Sequence, residues 1–227
     1  TVDIPEQDVE DIEEFIGVDF GLTDIISTSD NTKHSADWIN QYREKRQKVR
    51  SSIQRKGTRS SKRLLKRLSG KERTTATILN HTISKSLVQT AKEQGKGIAI
   101  EDLTNIRFTS KRRNKKFRTK LGRWNFGQLR SFLEYKSLLN GVQLVVVEPA
   151  YTSQTCSCCK HIGKRTNKVF KCTNTNCNVD TIDADYNASK VISLLGASVN
   201  MPEKSDMYCS LHSYSGLKPT PSLCVGG

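Results

Sequence analysis

Four thiols and three separated carboxylates are the residues of this sequence with the most chemistry to offer. Cys156 and Cys159 are separated by two residues, Cys172 and Cys177 by four, and twelve residues lie between the pairs. Two knuckles so spaced close a tetrahedral four-thiolate zinc site, and an ion fully ligated by protein is structural rather than catalytic. The competing reading is two disulfides or free core thiols, which fits poorly because nothing marks a secreted chain and intracellular thiols stay reduced. Directly after the last thiol comes Asp183-Ala-Asp185-Tyr-Asn187-Ala188, and Ala184, Ala188, Val191, Ile192 and Leu195 recur every three or four residues. That period predicts a helix with one packed face. Asp185 stands three and seven residues before Ala188 and Ile192 and so shares the packed face, whereas Asp183 aligns with Tyr186, Asn187 and Lys190 on the polar side and reads as a first-turn cap. Turning an ionised carboxylate toward a core is costly unless cations or donors receive it. Asp185 therefore needs partners elsewhere in the chain.

Two further acids sit where strands are expected. Phe15-Ile-Gly-Val-Asp19-Phe-Gly21 is a short apolar run interrupted by Asp19, and Ile98-Ala-Ile-Glu101-Asp-Leu103 is a buried-type strand that ends in acids. A strand-end Asp satisfied by a turn is the ordinary alternative for Asp19. Around these runs the elements fall in order. Leu22 to Thr28 predicts a strand antiparallel to the first. Residues 38–94 carry two long helical patterns broken at Gly57, Thr58 and Ser60, which makes a helical hairpin. Trp124 to Leu139 traces an amphipathic helix stopped by Gly141, and Val142 to Val147 a third buried strand. From Gly196 to Gly227 no period survives, and Cys209 and Cys224 lie there outside any motif. That stretch reads as a tail.

Charge narrows the partners. The net charge is +14. Residues 43–73 hold fourteen Lys or Arg against two Glu, and residues 107–123 hold nine against no acid, leaving a net of −7 on the rest. Two basic segments on an acidic body suit a protein that holds a polyanion while gathering carboxylates at one place. A solvated helix face would intersperse acids as i,i+4 pairs, which the first segment does not do. Candidate nucleic-acid contacts are Arg46, Arg50, Lys62 and Arg63 in the first segment and Arg112, Arg113, Lys115, Lys116 and Arg118 in the second. In the second, Phe108 and Phe117 lie among the bases, which suits either base stacking or a disordered basic loop that tracks a phosphate backbone. No apolar run approaches a membrane span and no signal-peptide pattern occurs, so a soluble, cytoplasmic protein, nucleoid-associated when bound to DNA, is expected. Thr1 to Glu14 is acidic, lacks an initiating Met and reads as a cut end.

An Asp19 strand, a second strand, helices, a Glu101 strand, a helix, a strand, a cysteine insert and an Asp185 helix follow the order of a ribonuclease-H-like nuclease core. The α/β fold expected is such a core over residues 15–150, a zinc-ribbon insert over 151–180, and a last helix over 181–195, with the tail at 196–227. The residues resemble the RuvC-like nuclease of TnpB/OrfB transposon proteins, which is also the core of type V CRISPR effectors. The segments that carry the resemblance are Gly17-Val-Asp19-Phe-Gly21-Leu, Ile100-Glu101-Asp102-Leu103, Trp124-Asn-Phe-Gly-Gln-Leu-Arg-Ser-Phe-Leu-Glu-Tyr-Lys136, Tyr151-Thr-Ser-Gln-Thr-Cys156 and Asp185-Tyr-Asn187-Ala188. The resemblance implies the nuclease portion of a transposon-associated, RNA-guided DNA endonuclease in which Asp19, Glu101 and Asp185 hold two Mg2+ ions. Carboxylates suit that hard cation, and a pair of such ions can activate water and stabilise a leaving oxygen. The implied partners are DNA and, through the longer protein, guide RNA, because the family's wedge and recognition regions lie in a half that this chain lacks. Three departures stand out: Lys160 replaces the usual glycine after the first knuckle, the second knuckle is wider than the common two residues, and Cys158 adds a thiol. A DNA-binding regulator or transposition accessory that does not cut, and a nucleic-acid-binding zinc-ribbon protein, are the other classes open to this sequence.

Overall fold

The computed structural model describes residues 12–104 and 114–200. Its centre is a five-stranded mixed sheet in the order β3-β2-β1-β4-β5, built from β1 (Phe15–Phe20), β2 (Asp24–Thr28), β3 (Lys33–Ser35), β4 (Gly97–Glu101) and β5 (Leu144–Val147). β1 pairs antiparallel with β2 but parallel with β4, and β4 pairs parallel with β5. Parallel neighbours require crossovers. The first is a long hairpin of α1 (Asp37–Lys56) and α2 (Arg59–Gln94), broken where the sequence places the break. Gly57 turns the chain at φ 63°, and the Thr58 hydroxyl caps α2 by accepting from the Ser61 amide at 3.1 Å. The second crossover carries α3 (Lys115–Arg123) and α4 (Phe126–Asn140).

Alternation along the strands sends side chains to two layers. Ile16, Val18, Ile98 and Ile100 pack with Ile39 of α1, Ile83, Leu87 and Ala91 of α2, and Leu129 and Leu133 of α4. On the opposite face Phe15, Ala99 and Val147 pack with Ile192 of α5 (Ala184–Asn200). After β5 a small antiparallel sheet, β6 (Lys164–Thr166), β7 (Val169–Lys171) and β8 (Thr181–Asp183), surrounds Phe170 and the thiols and runs straight into α5.

Four expectations change. Lys115–Arg123 is a helix, not a loop, capped by the Asn114 side chain. The helix expected from Trp124 begins at Phe126, with Trp124 buried before it. β5 is an edge strand and mostly half-buried rather than buried. α5 continues beyond Leu195 to Asn200. Arg112, Arg113, Phe108, Cys209, Cys224 and residues 201–227 lie outside the described residues. No described helix is long and apolar enough to cross a membrane.

Candidate metal and acid site

Strand register brings the first two acids together. Val18 of β1 pairs with Ile100 of β4, so Asp19 and Glu101 are the next residues on neighbouring parallel strands, about 5 Å apart between backbones. Alternation from Phe15, Gly17 and Ala99 turns both toward the α5 face. The third acid comes from that helix. A side chain on Gly17 would collide with α5, its Cβ falling 1.9 Å from the Ser189 carbonyl oxygen, so only glycine lets the helix lie this close to β1. The Ser193 hydroxyl donates to the Phe15 carbonyl at 2.5 Å, which fixes α5 antiparallel to β1. Asp185 therefore stands one turn before Ser189, facing Asp19 across the end of the sheet.

The electrostatics agree with this placement. Burial pushes the Asp19 carboxyl well above the usual carboxylate range, and the charges of Glu101 and Asp185 push it further, against the pull of Arg165 and Lys168. Burial raises Glu101 as well, opposed by the Thr152 hydroxyl that donates to it and by Arg165. Asp185 is 9 % exposed and receives two cations, Arg165 Nη2 at 2.5 Å and Lys168 Nζ at 3.0 Å. Lys168 also pairs with Asp24 of β2. These are the partners that the packed-face position of Asp185 demands. Asp102 takes no part, being paired with Arg130 at 2.9 Å. Asp183 caps α5, accepting from the amides of Asp185 at 3.1 Å and Tyr186 at 2.9 Å, as expected of it.

Among the described residues, one set of three or more candidate ligands has all its ligand atoms within 4.8 Å of one another, the thiols Cys156, Cys159, Cys172 and Cys177. Four sulfurs about 2.3 Å from one ion are about 3.8 Å apart. The Cys156–Cys177 and Cys159–Cys172 separations of 3.8 and 3.5 Å fit that tetrahedron and are far too long for disulfides. Cys158 is exposed and outside the set. Burial takes the Cys172 thiol up to about 12, while at Cys177 the Val179 amide and neighbouring thiols outweigh burial and bring it down to about 7. The glycine that Lys160 replaces has a reason, since Lys160 sits at φ 62°. Its ammonium, turned inward, donates to the Ser157 carbonyl at 2.5 Å.

The acids are spaced more widely than the thiols. Two divalent ions about 4 Å apart, each with oxygens at about 2.1 Å, need ligand atoms spread over several ångströms. Three carboxylates with two basic side chains inserted among them have the donor chemistry for hard ions.

Sequence reasoning misses two sets of residues. Arg165 is the middle residue of β6 and Lys168 lies in the β6–β7 turn, well before the helix, where a base carries no signal of its own. Asn187, expected on the polar face, is fully buried: its Nδ2 donates to the Thr155 carbonyl at 2.7 Å and its Oδ1 accepts from the Ser157 amide at 2.9 Å. Its place two residues after Asp185 and one before Ala188 is the available signal, since the packed arc of a helix is wider than one row. Of the basic candidates, Arg46 lies against Tyr42, Arg50 pairs with Glu72 at 3.0 Å, and Lys62, Arg63, Lys115 and Arg118 are placed on helix surfaces. Lys116 lies in α3.

The Cas12f1-like TNB domain family matches residues 126–192. A TnpB-like protein of Methanocaldococcus jannaschii is 34% identical over 171 residues, which are 74% of this chain and 61% of that protein. The CRISPR-associated endodeoxyribonuclease Cas12f2 of a Micrarchaeota archaeon is 32% identical over 162 residues, 66% of this chain and 29% of the relative. The chain thus spans less than two thirds of these relatives' length. In structure it is similar to the protein of a Cas12f1–sgRNA–target DNA complex, with a TM-score of 0.63 and 20% identity over 85% of this chain and 51% of that one, a likeness of fold. By sequence and by fold, the chain is related to the TnpB-like proteins and the Cas12f type V effectors.

Proposed function

We propose that this chain is the nuclease portion of a transposon-associated, RNA-guided DNA endonuclease, with Asp19, Glu101 and Asp185 as its metal-binding acids. The observation that carries the reading is the convergence of Asp19 and Glu101, from adjacent parallel strands, with Asp185 from the helix that Gly17 admits against them. The order β3-β2-β1-β4-β5, antiparallel in its first half and parallel in its second, supports a ribonuclease-H-like core of the RuvC type. Magnesium ions, when bound, supply water activation and charge neutralisation in phosphodiester hydrolysis. The residues' own part is to hold the acids: the strands fix Asp19 and Glu101, Thr152 orients Glu101, and Arg165 and Lys168 keep Asp185 charge-balanced until other cations or a phosphate compete. Cys156, Cys159, Cys172 and Cys177 hold structural zinc. DNA and guide RNA are the partners, held with the recognition regions of a longer protein.

The ion pairs of Asp185 also suit a regulator that binds DNA without cutting, and one experiment separates the two. In the longer, guide-loaded protein, Asp19→Ala, Glu101→Gln and Asp185→Ala should each reduce cleavage by orders of magnitude and leave target binding nearly intact, because metal ligands act as a unit. Cleavage retained in Asp185→Ala but lost in Asp183→Ala would reassign the third acid, cleavage retained in all of them would remove these acids from the reaction, and target binding with no cleavage by the parent itself would leave only the regulator.

A further inference from the structure

α1 carries an arrangement that the acid site does not use. Trp38, Tyr42, Arg46 and Arg50 follow one another at intervals of four, so they form one ridge along the helix. Trp38 and Tyr42 are stacked, ring centroids 5.8 Å apart and planes 15° apart, and the Arg46 guanidinium lies over the Tyr42 ring at 5.1 Å. Trp38 is 61% exposed although it is one of the largest apolar side chains in the protein, and Tyr42 is packed at its base against the core. An exposed ring stacked on a second ring and followed by a guanidinium offers an open π-face beside a positive charge.

Both ends of the ridge lead somewhere. At its start, the Ala36 amide donates to the Thr23 carbonyl at 2.9 Å, and Asn40 Nδ2 donates to the Leu22 carbonyl at 3.1 Å. Leu22 and Thr23 belong to the turn between β1 and β2, so the start of α1, and Trp38 with it, stands at the end of the sheet that carries Asp19 and Glu101, on the face opposite α5. At the far end, Arg43, Arg73 and Arg50, the last paired with Glu72 at 3.0 Å, line a cleft of about 590 Å³ against Trp124. The Arg43 guanidinium covers the Trp124 ring at 5.1 Å. The hairpin bearing both features holds fourteen bases against two acids over residues 43–73.

Resting on the nucleic-acid reading above, we infer that the Trp38–Tyr42–Arg46 ridge is a stacking track for single-stranded polynucleotide that leads from the acid-bearing end of the sheet to the cleft lined by Arg43, Arg50 and Arg73. The open face of Trp38 takes a base, because every base offers a π-face and stacking does not read sequence. Arg46 is oriented by Tyr42 toward the adjoining phosphate. The cleft receives the backbone beyond. A protein partner would have to match an arginine-rich, nearly acid-free surface with acids of its own. A strand of nucleic acid meets the rings and the guanidiniums together.

The test uses the whole chain with oligo-dT and oligo-rU in metal-free buffer, read by intrinsic fluorescence. The chain has two Trp, and Trp124, 4% exposed, lines the cleft, so quenching is assigned to Trp38 by its loss in Trp38→Ala. Saturable quenching is expected, absent in Trp38→Ala, whereas Trp38→Phe should retain binding close to the parent's by fluorescence anisotropy of a labelled oligonucleotide. Trp38→Ala should bind about five- to a hundredfold more weakly with an unchanged salt slope, as loss of one stacked base requires. Arg46→Gln should lower the salt slope by about one. A larger loss with dT or with rU would identify which strand the track prefers and would support it in either case. Equal affinity of Trp38→Ala and parent, with binding otherwise present and salt-sensitive, overturns the track and spares the nucleic-acid reading. No binding by either protein at low salt overturns both. Concentration-dependent self-association that Trp38→Ala abolishes would overturn the track by assigning the face to a second copy.

Discussion

Adding a single methyl group at Gly17 should separate the acid-bearing helix from the sheet. The new Cβ would lie 1.9 Å from the Ser189 oxygen, 2.4 Å from the Ser193 nitrogen and 2.9 Å from the Ser193 Cα, all backbone atoms of α5. No rotamer change relieves a clash with backbone. Ordinary contact begins at 3.4 Å, so α5 must retreat by about 1.5 Å, and the layer of Phe15, Ala99, Val147 and Ile192 opens with it. Overpacking of this kind costs about 1–3 kcal/mol, and a rigid obstacle puts it at the upper end. In a protein of this size each kcal/mol moves Tm by about 2–4 °C, so Gly17→Ala should melt roughly 5–10 °C lower by circular dichroism. Gly70 is the control. It lies within α2, where an added Cβ would meet nothing within 4 Å, and Gly70→Ala should raise stability by about 0.5–1 kcal/mol through helix propensity alone. A Gly17→Ala protein that melts within about 2 °C of the parent would refute the seating of α5 on β1, and with it the geometry that brings Asp185 to Asp19.

Two other perturbations probe the site itself. Asn187→Ala removes both hydrogen bonds that tie the first knuckle to α5 and leaves the Thr155 carbonyl and Ser157 amide without that partner, at about 1–3 kcal/mol each, so a loss of about 2–6 kcal/mol is expected by urea denaturation of zinc-loaded protein. The parent should carry one equivalent of zinc and the variant should release it faster to a chelator; a loss below about 1 kcal/mol would show that the knuckle is held by something else. Asp19→Asn should stabilise the metal-free chain at neutral pH. A carboxyl raised in the folded state opposes folding once ionised, so the parent's penalty is absent below the ordinary carboxylate range and develops as pH rises toward Asp19's elevated value. Melting curves of parent and variant that run parallel at every pH would contradict the raised value.

Much of the fold is legible in the sequence because its signals are local. The β1–β2 pairing, the break at Gly57 and the stops after α2 and α4 each follow from residues within one turn of the feature they produce. The cysteine set is legible from spacing alone, since two knuckles restrict which sulfurs can meet. Asp185 is picked out over Asp183 by a two-residue phase difference on a helix, and its burial and ion pairs fit that choice. What stays hidden is non-local. Register between β1 and β4 sets Asp19 beside Glu101, yet a long helical hairpin separates them in sequence, and no pattern in either strand encodes the other's alignment. Asn187 escapes because a polar side chain reads as belonging to the polar face, whereas backbone groups of the knuckle need a buried amide. The short helix at Lys115–Arg123 escapes because a basic run has weak helix periodicity, and its Asn114 cap is visible only once the helix is known.

The position of the cysteine unit has a mechanical meaning that neither part shows alone. β8 ends at Asp183, and the same residue caps α5, so no linker separates the unit from the helix that carries Asp185. Asn187, one turn later, grips the first knuckle from the helix side. Phe170, Cys156, Cys172 and Ala184 share one small core, so the thiols and the first residue of α5 are packed as a single body. The β6–β7 turn of that body then reaches back over the sheet, where Arg165 and Lys168 meet Asp185 and Lys168 also holds Asp24 of β2. An ion at the thiols would thus fix the helix start, and through it the third acid, while the same body supplies the charges that neutralise that acid. A body of about thirty residues has too little apolar interior to hold that geometry unaided, and a four-thiolate ion contributes folding free energy of its own. An ion held by the thiols would therefore be coupled to Asp185 through rigid structure, not through direct contact, and its loss should loosen Asp185 while leaving Asp19 and Glu101 fixed by their strands.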